Sequence, residues 1–450
     1  MRVLLIALQN TSPGPATLDE QRRWAELGSA MRTARMEEEH VLALARSMRD
    51  GGRLAPMLAC LENSALYARA VQLNLPVIPV SSASAHNPFN HWRLWRWQRR
   101  HPRLLVQTVG QDAMPLGRSV VRMRQPGGTL LAHAFLLRAP SPQSLTGKPC
   151  FAAHKILCGS RHVQERLSAT EAPKPRATAA GKGGQTGENT KAVFPEHGEK
   201  GRTLRLDGDF LTLVAPGMNL DDFAPSSPWA QADPQTAAHA AEASQPCRLR
   251  FIFGLADALT PRSGAQLVTR AMAAIWQLDD LPPWEVRALG GGPRYAELLE
   301  EAENLGVSSR LCLLNEQALP DVLQHCHAWI SPGSSPEELP ESLWAGMAAN
   351  LPTVCSKSPL HSERLKLGGR PPANAALLVE ENDPQALAKA MIDIMQDAPL
   401  RLRLTEGGQA LRPHIGLESF AARTCDLYQQ WCRKLGWLDP PQPTEDSQQA

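Results

Sequence analysis

The stretch PGSSPEELPESLWAGMAANLPTVCS, Pro332 to Ser356, decides how this chain is read. Just before it, HAWISPG is a short apolar run closed by Pro and Gly, the pattern of a buried strand that ends in a turn. A loop carrying carboxylates follows, and then a helix expected to start near Leu339, packed through its Met347-Ala348-Ala349 core. This is one βα unit, and its neighbours in sequence repeat it.

On the N-terminal side, RLRFIFG reads as a strand, GAQLVTRAMAAIWQL as a helix, WEVRALGGGP as a strand and turn, YAELLEEAENLGV as a helix stopped by glycine, and SSRLCLLN as a strand. The first third repeats the alternation. MRVLLIALQN is a buried strand, and MEEEHVLALARSMRDGG is a helix with Val41, Leu42, Leu44, Ala45 and Met48 at helical period. Then come the strand APMLACLEN, a helix from Leu66 to Leu73, the strand PVIPV, a helix near 91–100 and the strand RLLVQTVG. Short apolar runs alternating with helices predict an α/β chain with two doubly wound, Rossmann-like domains and no internal repeat. In such sheets ligands gather at the carboxyl ends of the strands, here expected between the two halves.

Two stretches interrupt the pattern. Residues 168–202 are rich in Ala, Gly, Pro, Lys and Thr with almost no large apolar side chain, so a disordered insertion is expected. Residues 225–247 have the composition of a linker. The expected division is therefore an N-terminal domain over 1–224, a second domain over 248–412, and a terminal helix over 413–436.

At 450 residues the chain is too long for one core. Its 43% hydrophobic and 20% charged residues are ordinary for a globular protein, and a net charge of +2 calls for no nucleic acid. Nine cysteines occur without a C-x-x-C pair, which argues against a disulfide framework or a zinc site and fits a reducing cytosol. The N-terminus lacks the long apolar region of a signal peptide, and no run of ~18 apolar residues could span a membrane.

Several motifs together resemble one family, the GT-B glycosyltransferases of family 4, also called glycosyl transferases group 1. LTLVAPGMNLDDFAP, Leu211 to Pro225, is similar to the segment that closes the family's N-terminal domain. FIFGLADALTPRSGAQLVTRAM resembles its donor-domain opening, and ALGGGPRYAELLEEAENLGVSSRLCLL its G-x-G-P helix and strand. SSPEELPESLWAGMAANLPTVCS matches the E-x7-E region, NAALLVEENDPQALAKAM the segment after it, and SFAARTCDLYQQW the helix that returns to the first domain.

The resemblance implies two domains facing a central cleft and transfer of a sugar from a nucleoside-diphosphate donor to a hydroxyl of a glycan or glycolipid. Retention of configuration and independence of metal or other cofactors come with it, and cell-envelope polysaccharide or lipopolysaccharide synthesis is a fitting setting. It assigns Glu337 to the donor sugar, and the alternative is a solvated loop carboxylate. Arg262 would stabilise the departing diphosphate, or be an ordinary surface arginine. His133, on GGTLLAHAF, would lie near the attacking hydroxyl, or be a hydrogen-bonded core histidine. Gly254 and Gly264 would admit the backbone close to phosphate, Gly291 and Gly292 would form a turn facing the donor, and Lys357 and Ser358 would be phosphate ligands.

The departures from the family are specific. The second glutamate of the E-x7-E pair falls on Ala345, whose methyl group accepts no hydrogen bond from ribose, and neither Glu338 nor Glu341 substitutes simply. The usual Arg and Lys of the opening loop fall on Leu255 and Ser263. They motivate a rival expectation, a catalytically weak GT-B protein that serves as a binding or scaffolding subunit. A phosphorylase or epimerase finds less support, with no cofactor-lysine pattern or epimerase motif in view.

HWRLWRWQRRHPR, His91 to Arg103, adds a partner expectation. At helical pitch Arg93, Arg96, Arg99, Arg100 and Arg103 share an arc flanked by Trp95 and Trp97, a composition suited to peripheral contact with the inner, anionic face of a membrane. A solvated helix with its tryptophans packed inward is the alternative.

Overall fold

In the computed structural model the described residues are 1–8, 29–81, 87–110, 112–122, 128–137, 153–169, 210–221, 223, 250–256, 264–290, 295–314, 319–335, 339–369 and 375–439. Nearly all of the expected insertion and the whole expected linker lie outside them. So do Glu337, Arg262, Gly291 and Gly292 among the candidate site residues.

The described strands are β1 (Arg2–Ala7), β2 (Ala55–Leu61), β3 (Val77–Val80), β4 (Leu104–Val109), β5 (Thr129–Phe135), β6 (Lys155–Cys158), β7 (Leu211–Leu213), β8 (Phe251–Ala256), β9 (Trp284–Leu289), β10 (Leu311–Leu314), β11 (Ala328–Ser331), β12 (Thr353–Ser356) and β13 (Leu377–Val379). The helices are α1 (Ser29–Gly51), α2 (Ala65–Gln72), α3 (Pro88–Gln98), α4 (Met114–Arg122), α5 (Arg161–Ala169), α6 (Ala265–Trp276), α7 (Tyr295–Asn304), α8 (Leu319–Leu323), α9 (Glu341–Ala348), α10 (Pro359–Leu365), α11 (Pro384–Gln396), α12 (Ala398–Ile415) and α13 (Leu417–Lys434).

The strands form two parallel sheets, ordered β3-β2-β1-β4-β5-β6-β7 and β10-β9-β8-β11-β12-β13. Leu4 of β1 pairs with Met57 of β2 and Val106 of β4, which fixes the register of the first sheet. Strands covered by helices on both faces are apolar at nearly every position, and β4, β5, β6, β11 and β12 are buried throughout. Each sheet reverses direction of winding once, between β1 and β4 in the first and between β8 and β11 in the second. That reversal leaves a crevice beyond the carboxyl ends of the flanking strands.

By contacts the chain divides into one unit of Met1–Gln9, Met48–Val214 and Cys425–Ala450 and another of Asn10–Ser47 and Ala215–Thr424. The division falls inside α1 and inside α13. Two separate helices, α12 and α13, occupy the C-terminal region, and Gly416 between them is extended. Met218 pairs with this junction, its N–H donating to Ile415 O at 2.8 Å and its carbonyl accepting from Leu417 N at 3.0 Å.

Helix boundaries follow local chemistry. α9 begins at Glu341 rather than near Leu339, because Pro340 has no N–H to donate and is accommodated only ahead of the first hydrogen-bonded turn. Asp383 caps α11, accepting from Gln385 N and Ala386 N with Pro384 as first residue. Among the described residues the left-handed ones other than glycine are Asn74, Asn350 and Asn382, and Asn350 (φ 60°) turns the chain out of α9 toward β12.

α3 is capped by Asn87, which accepts from Phe89 N at 2.9 Å, and it stops at Gln98, before Arg100 and Arg103. Its inner face is Asn90, Leu94 and Gln98, with Trp97 packed on the core of the first sheet. Arg93 donates to Pro79 O at 2.9 Å and lies 3.8 Å from Glu62. Arg93 and Trp97 are thus turned toward the protein, while Trp95, Arg96 and Arg100 face solvent.

Three histidines accept backbone N–H groups. His40 Nε2 accepts from Gly217 N at 2.9 Å while Nδ1 bonds Met36 O, so the neutral Nδ1–H tautomer satisfies both. His327 Nδ1 accepts from Ile252 N and His154 Nδ1 from Leu131 N, each at 3.0 Å. Burial lowers the pKa of all three, those of His40 and His327 to about 4. Between pH 6.5 and 4 the unfolded chain therefore binds protons that the folded chain refuses, and stability falls as pH falls through that window. For His40 alone the loss is about 2 kcal/mol by pH 5. Urea unfolding at pH 7 and pH 5 should show a loss smaller by that amount in His40→Gln than in the wild type. An equal loss would mean that His40 does not resist protonation.

Candidate functional site

The second sheet concentrates unusual features at the carboxyl ends of β8, β11 and β12. Gly264, the residue before α6, is left-handed (φ 79°), and a Cβ there would come within 2.6 Å of Pro332 O, just past β11. The loop entering α6 and the loop leaving β11 therefore meet at the winding reversal. α6 has no side-chain cap, and its N-terminal amides carry the partial positive charge to which a phosphate is drawn.

The segment after β11 is held at both ends. Ser356 Oγ, at the end of β12, donates to Gly333 O. His361 of α10 lies 3.0 Å through Nδ1 from both Ser356 Oγ and Ser356 O, and 3.5 Å through Nε2 from Ser331 Oγ. Further along, Leu339 O accepts from Arg364 Nη1 at 3.2 Å and from Ser342 Oγ at 2.9 Å. The Arg364 guanidinium also stacks 5.8 Å from the ring centre of Trp344. Gly333 and Leu339 flank the sequence that carries Glu337; Ser356 of β12 holds the first and Arg364 of α10 the second. Sequence reading passed over His361 and Arg364. The one available signal was a histidine and an arginine three residues apart in a short helix directly after a buried strand.

Lys357 and Ser358 follow β12. Lys357 Nζ forms an exposed ion pair with Glu380 at 2.9 Å, and that hydrogen bond raises its pKa. A phosphate there would compete with a carboxylate. Ser358 is buried and caps α10, accepting from His361 N at 3.1 Å. Gly290 ends β9 in a buried position, directly before Gly291 and Gly292.

Gly254 has a packing reason of its own. A Cβ on it would lie 2.5 Å from Cys326 Sγ and 2.7 Å from the indole of Trp329. The same indole occupies the place a Cβ on Gly346 of α9 would need, and its Nε1–H donates to Ser342 O at 2.8 Å. Trp329 is fully buried between a glycine of β8 and a glycine of α9. Ala345 and Leu255 are buried in the apolar clusters of this unit.

In the first sheet His133 is the fifth residue of β5, paired in register with Thr108 of β4 and Ile156 of β6. It has no exposed surface, and its Nδ1 lies 2.5 Å from Thr108 Oγ1. Its surroundings are those of a hydrogen-bonded core histidine. Among the described residues no group of three or more His, Cys, Asp or Glu is arranged to hold a metal ion, and no helix is long and apolar enough to cross a membrane.

Residues 249–411 match the family model described as Glycosyl transferases group 1. D-inositol 3-phosphate glycosyltransferase of Streptomyces scabiei is 26% identical over 249 residues, covering 52% of this chain and 51% of that protein, so the chain spans about half the length of this curated relative. A glycosyltransferase from Rickettsia africae superposes with a TM-score of 0.59 at 13% identity, over 96% of this chain and 98% of that one. Anabaena Alr3699/HepE in complex with UDP superposes with a TM-score of 0.61 at 14% identity, over 96% and 100%. At such identities the likeness speaks for the fold. The chain has a GT-B fold of two parallel Rossmann-like sheets, and over residues 249–411 it matches glycosyl transferases group 1.

Proposed function

We propose that the protein is a retaining glycosyltransferase that moves a sugar from a nucleoside-diphosphate donor to a hydroxyl of a glycan or glycolipid, without an essential metal. One observation carries this reading. Gly264 with the N-terminus of α6, and Pro332–Gly333 just past β11, converge at the reversal of the second sheet, within the segment matched by the family model.

In this reading the diphosphate rests at the start of α6, with Arg262 supplying the cation that meets the charge developing on the leaving group. Glu337 accepts hydrogen bonds from the sugar hydroxyls. Gly291 and Gly292 would pass close to the donor. His133 would act on the acceptor hydroxyl only after losing its cover, so its part is the weakest element of the proposal. A glycolipid acceptor would place the protein at a membrane, in keeping with envelope polysaccharide or lipopolysaccharide assembly.

Thermal melts with nucleoside diphosphates and their sugars, in EDTA, test the donor half. UDP heads the panel because HepE binds it. A true donor at a hundredfold excess over Kd should add about 2.7 kcal/mol and raise Tm by several degrees. A panel without any shift would overturn the reading, and a shift that vanishes in EDTA would remove its metal independence. A matching donor should then give a product of unchanged anomeric configuration by NMR.

Ala345 and Leu255 support a second reading, a GT-B subunit that binds or scaffolds without turnover. Donor binding with no transfer to any acceptor would favour it.

A further inference from the structure

The outer face of α3 carries Phe89, Trp92 and Trp95 at spacings of three, and they are 72%, 54% and 38% exposed. Large aromatics aligned on successive turns form a patch, whereas scattered exposed apolar residues need no explanation. The opposite face is already committed to the first sheet through Leu94 and Trp97, so no rotation of the helix would hide these rings.

Charge accompanies them. From Asn87 to Leu104 the chain holds five arginines and no acidic residue. The Arg96 guanidinium lies 5.5 Å from the Trp92 ring centre and that of Arg99 lies 4.7 Å from Trp95, and neither arginine makes an ion pair among the described residues. Stacked in this way, a guanidinium keeps its in-plane N–H groups for oxygens of an anion.

We propose that this face of α3 binds the surface of an anionic lipid bilayer. Phe89, Trp92 and Trp95 enter the layer between headgroups and acyl chains, where amphipathic aromatic rings are favoured, and Arg96, Arg99 and Arg100 meet the lipid phosphates. Single-stranded nucleic acid also combines arginine with aromatic stacking, but here Arg96 already stacks on Trp92 and Arg99 on Trp95, which leaves each indole one face fewer for a base. The proposal goes beyond glycosyl transfer and does not depend on it. It also changes the contact set drawn from sequence, by dropping Arg93 and Trp97 and adding Phe89 and Trp92.

The test is co-sedimentation of the full chain with vesicles of phosphatidylcholine alone or mixed with phosphatidylglycerol, with no sugar donor present. Binding to the mixed vesicles should exceed binding to phosphatidylcholine at least about tenfold and weaken with salt. Arg96→Glu/Arg99→Glu and Trp92→Ser/Trp95→Ser should each reduce it by about tenfold or more, with unchanged melting because these side chains are exposed. No sedimentation of the wild type, equal binding to both vesicles, or variants that bind like the wild type would overturn the proposal. Binding of a single-stranded RNA in place of the mixed vesicles would do so as well.

Discussion

Trp329→Ala should destabilise the unit that contains it by about 3–5 kcal/mol, near the upper end of what truncating one buried side chain costs. The indole is fully buried, touches β8 on one side and α9 on the other, and gives its only proton to Ser342 O. Alanine leaves a cavity bounded by two glycines, and neither has a side chain with which to fill it. Gly254→Ala in the wild-type background should also be strongly unfavourable, because the added methyl meets the ring at 2.7 Å in a fully packed interior. Combined with Trp329→Ala, however, Gly254→Ala should cost less, since the clash with the indole is then gone and only that with Cys326 Sγ, at 2.5 Å, remains. A double-mutant cycle by urea unfolding should return a coupling of at least about 1 kcal/mol, and simple additivity would refute this packing account.

Glu337→Ala should lower kcat/KM by about a hundredfold or more at unchanged melting temperature, as expected for removing a charged acceptor from a reacting sugar. The complementary change has a different expected outcome. Ala345→Glu restores the family pattern in sequence, yet position 345 is fully buried among Leu343, Trp344 and Met347. A carboxylate there must be desolvated without a partner, so the variant should lose several kcal/mol of stability and gain no donor affinity. Donor melts and unfolding curves on the two variants separate the readings. A stable Ala345→Glu chain that binds a donor the wild type ignores would favour the scaffolding subunit, and an active enzyme indifferent to Glu337→Ala would remove that glutamate from the site.

Much of the fold was legible because parallel strands buried on both faces are nearly continuous apolar runs, and MRVLLIA, RLLVQTV and RFIFG were recognisable as such. Boundaries were harder. Pro340 delayed α9, and Asn87 with Pro88 started α3 earlier than its arginines suggested. Periodicity could not orient α3, since its inner face includes the amides Asn90 and Gln98 and its outer face Phe89 and Trp92, the reverse of a polarity rule. Gly254 illustrates a different limit. Lack of a side chain suits a close phosphate and a close indole equally well, and Trp329, which decides between them in the fold, is far away in sequence. The roles of His361 and Arg364 were invisible for a related reason: Arg364 bonds the carbonyl of Leu339, 25 residues away, and His361 bonds Ser356, whose own bond to Gly333 spans 23 residues, and no spacing rule connects them.

The bracketing of Gly333 and Leu339 bears on when conformational entropy is lost. Because Ser356 of β12 holds Gly333 and Arg364 of α10 holds Leu339, the cost of fixing these two anchor points is met as the chain folds and not when a ligand arrives. Substitutions in the sequence between the two anchors then leave both anchors, and the sheet beneath them, in place.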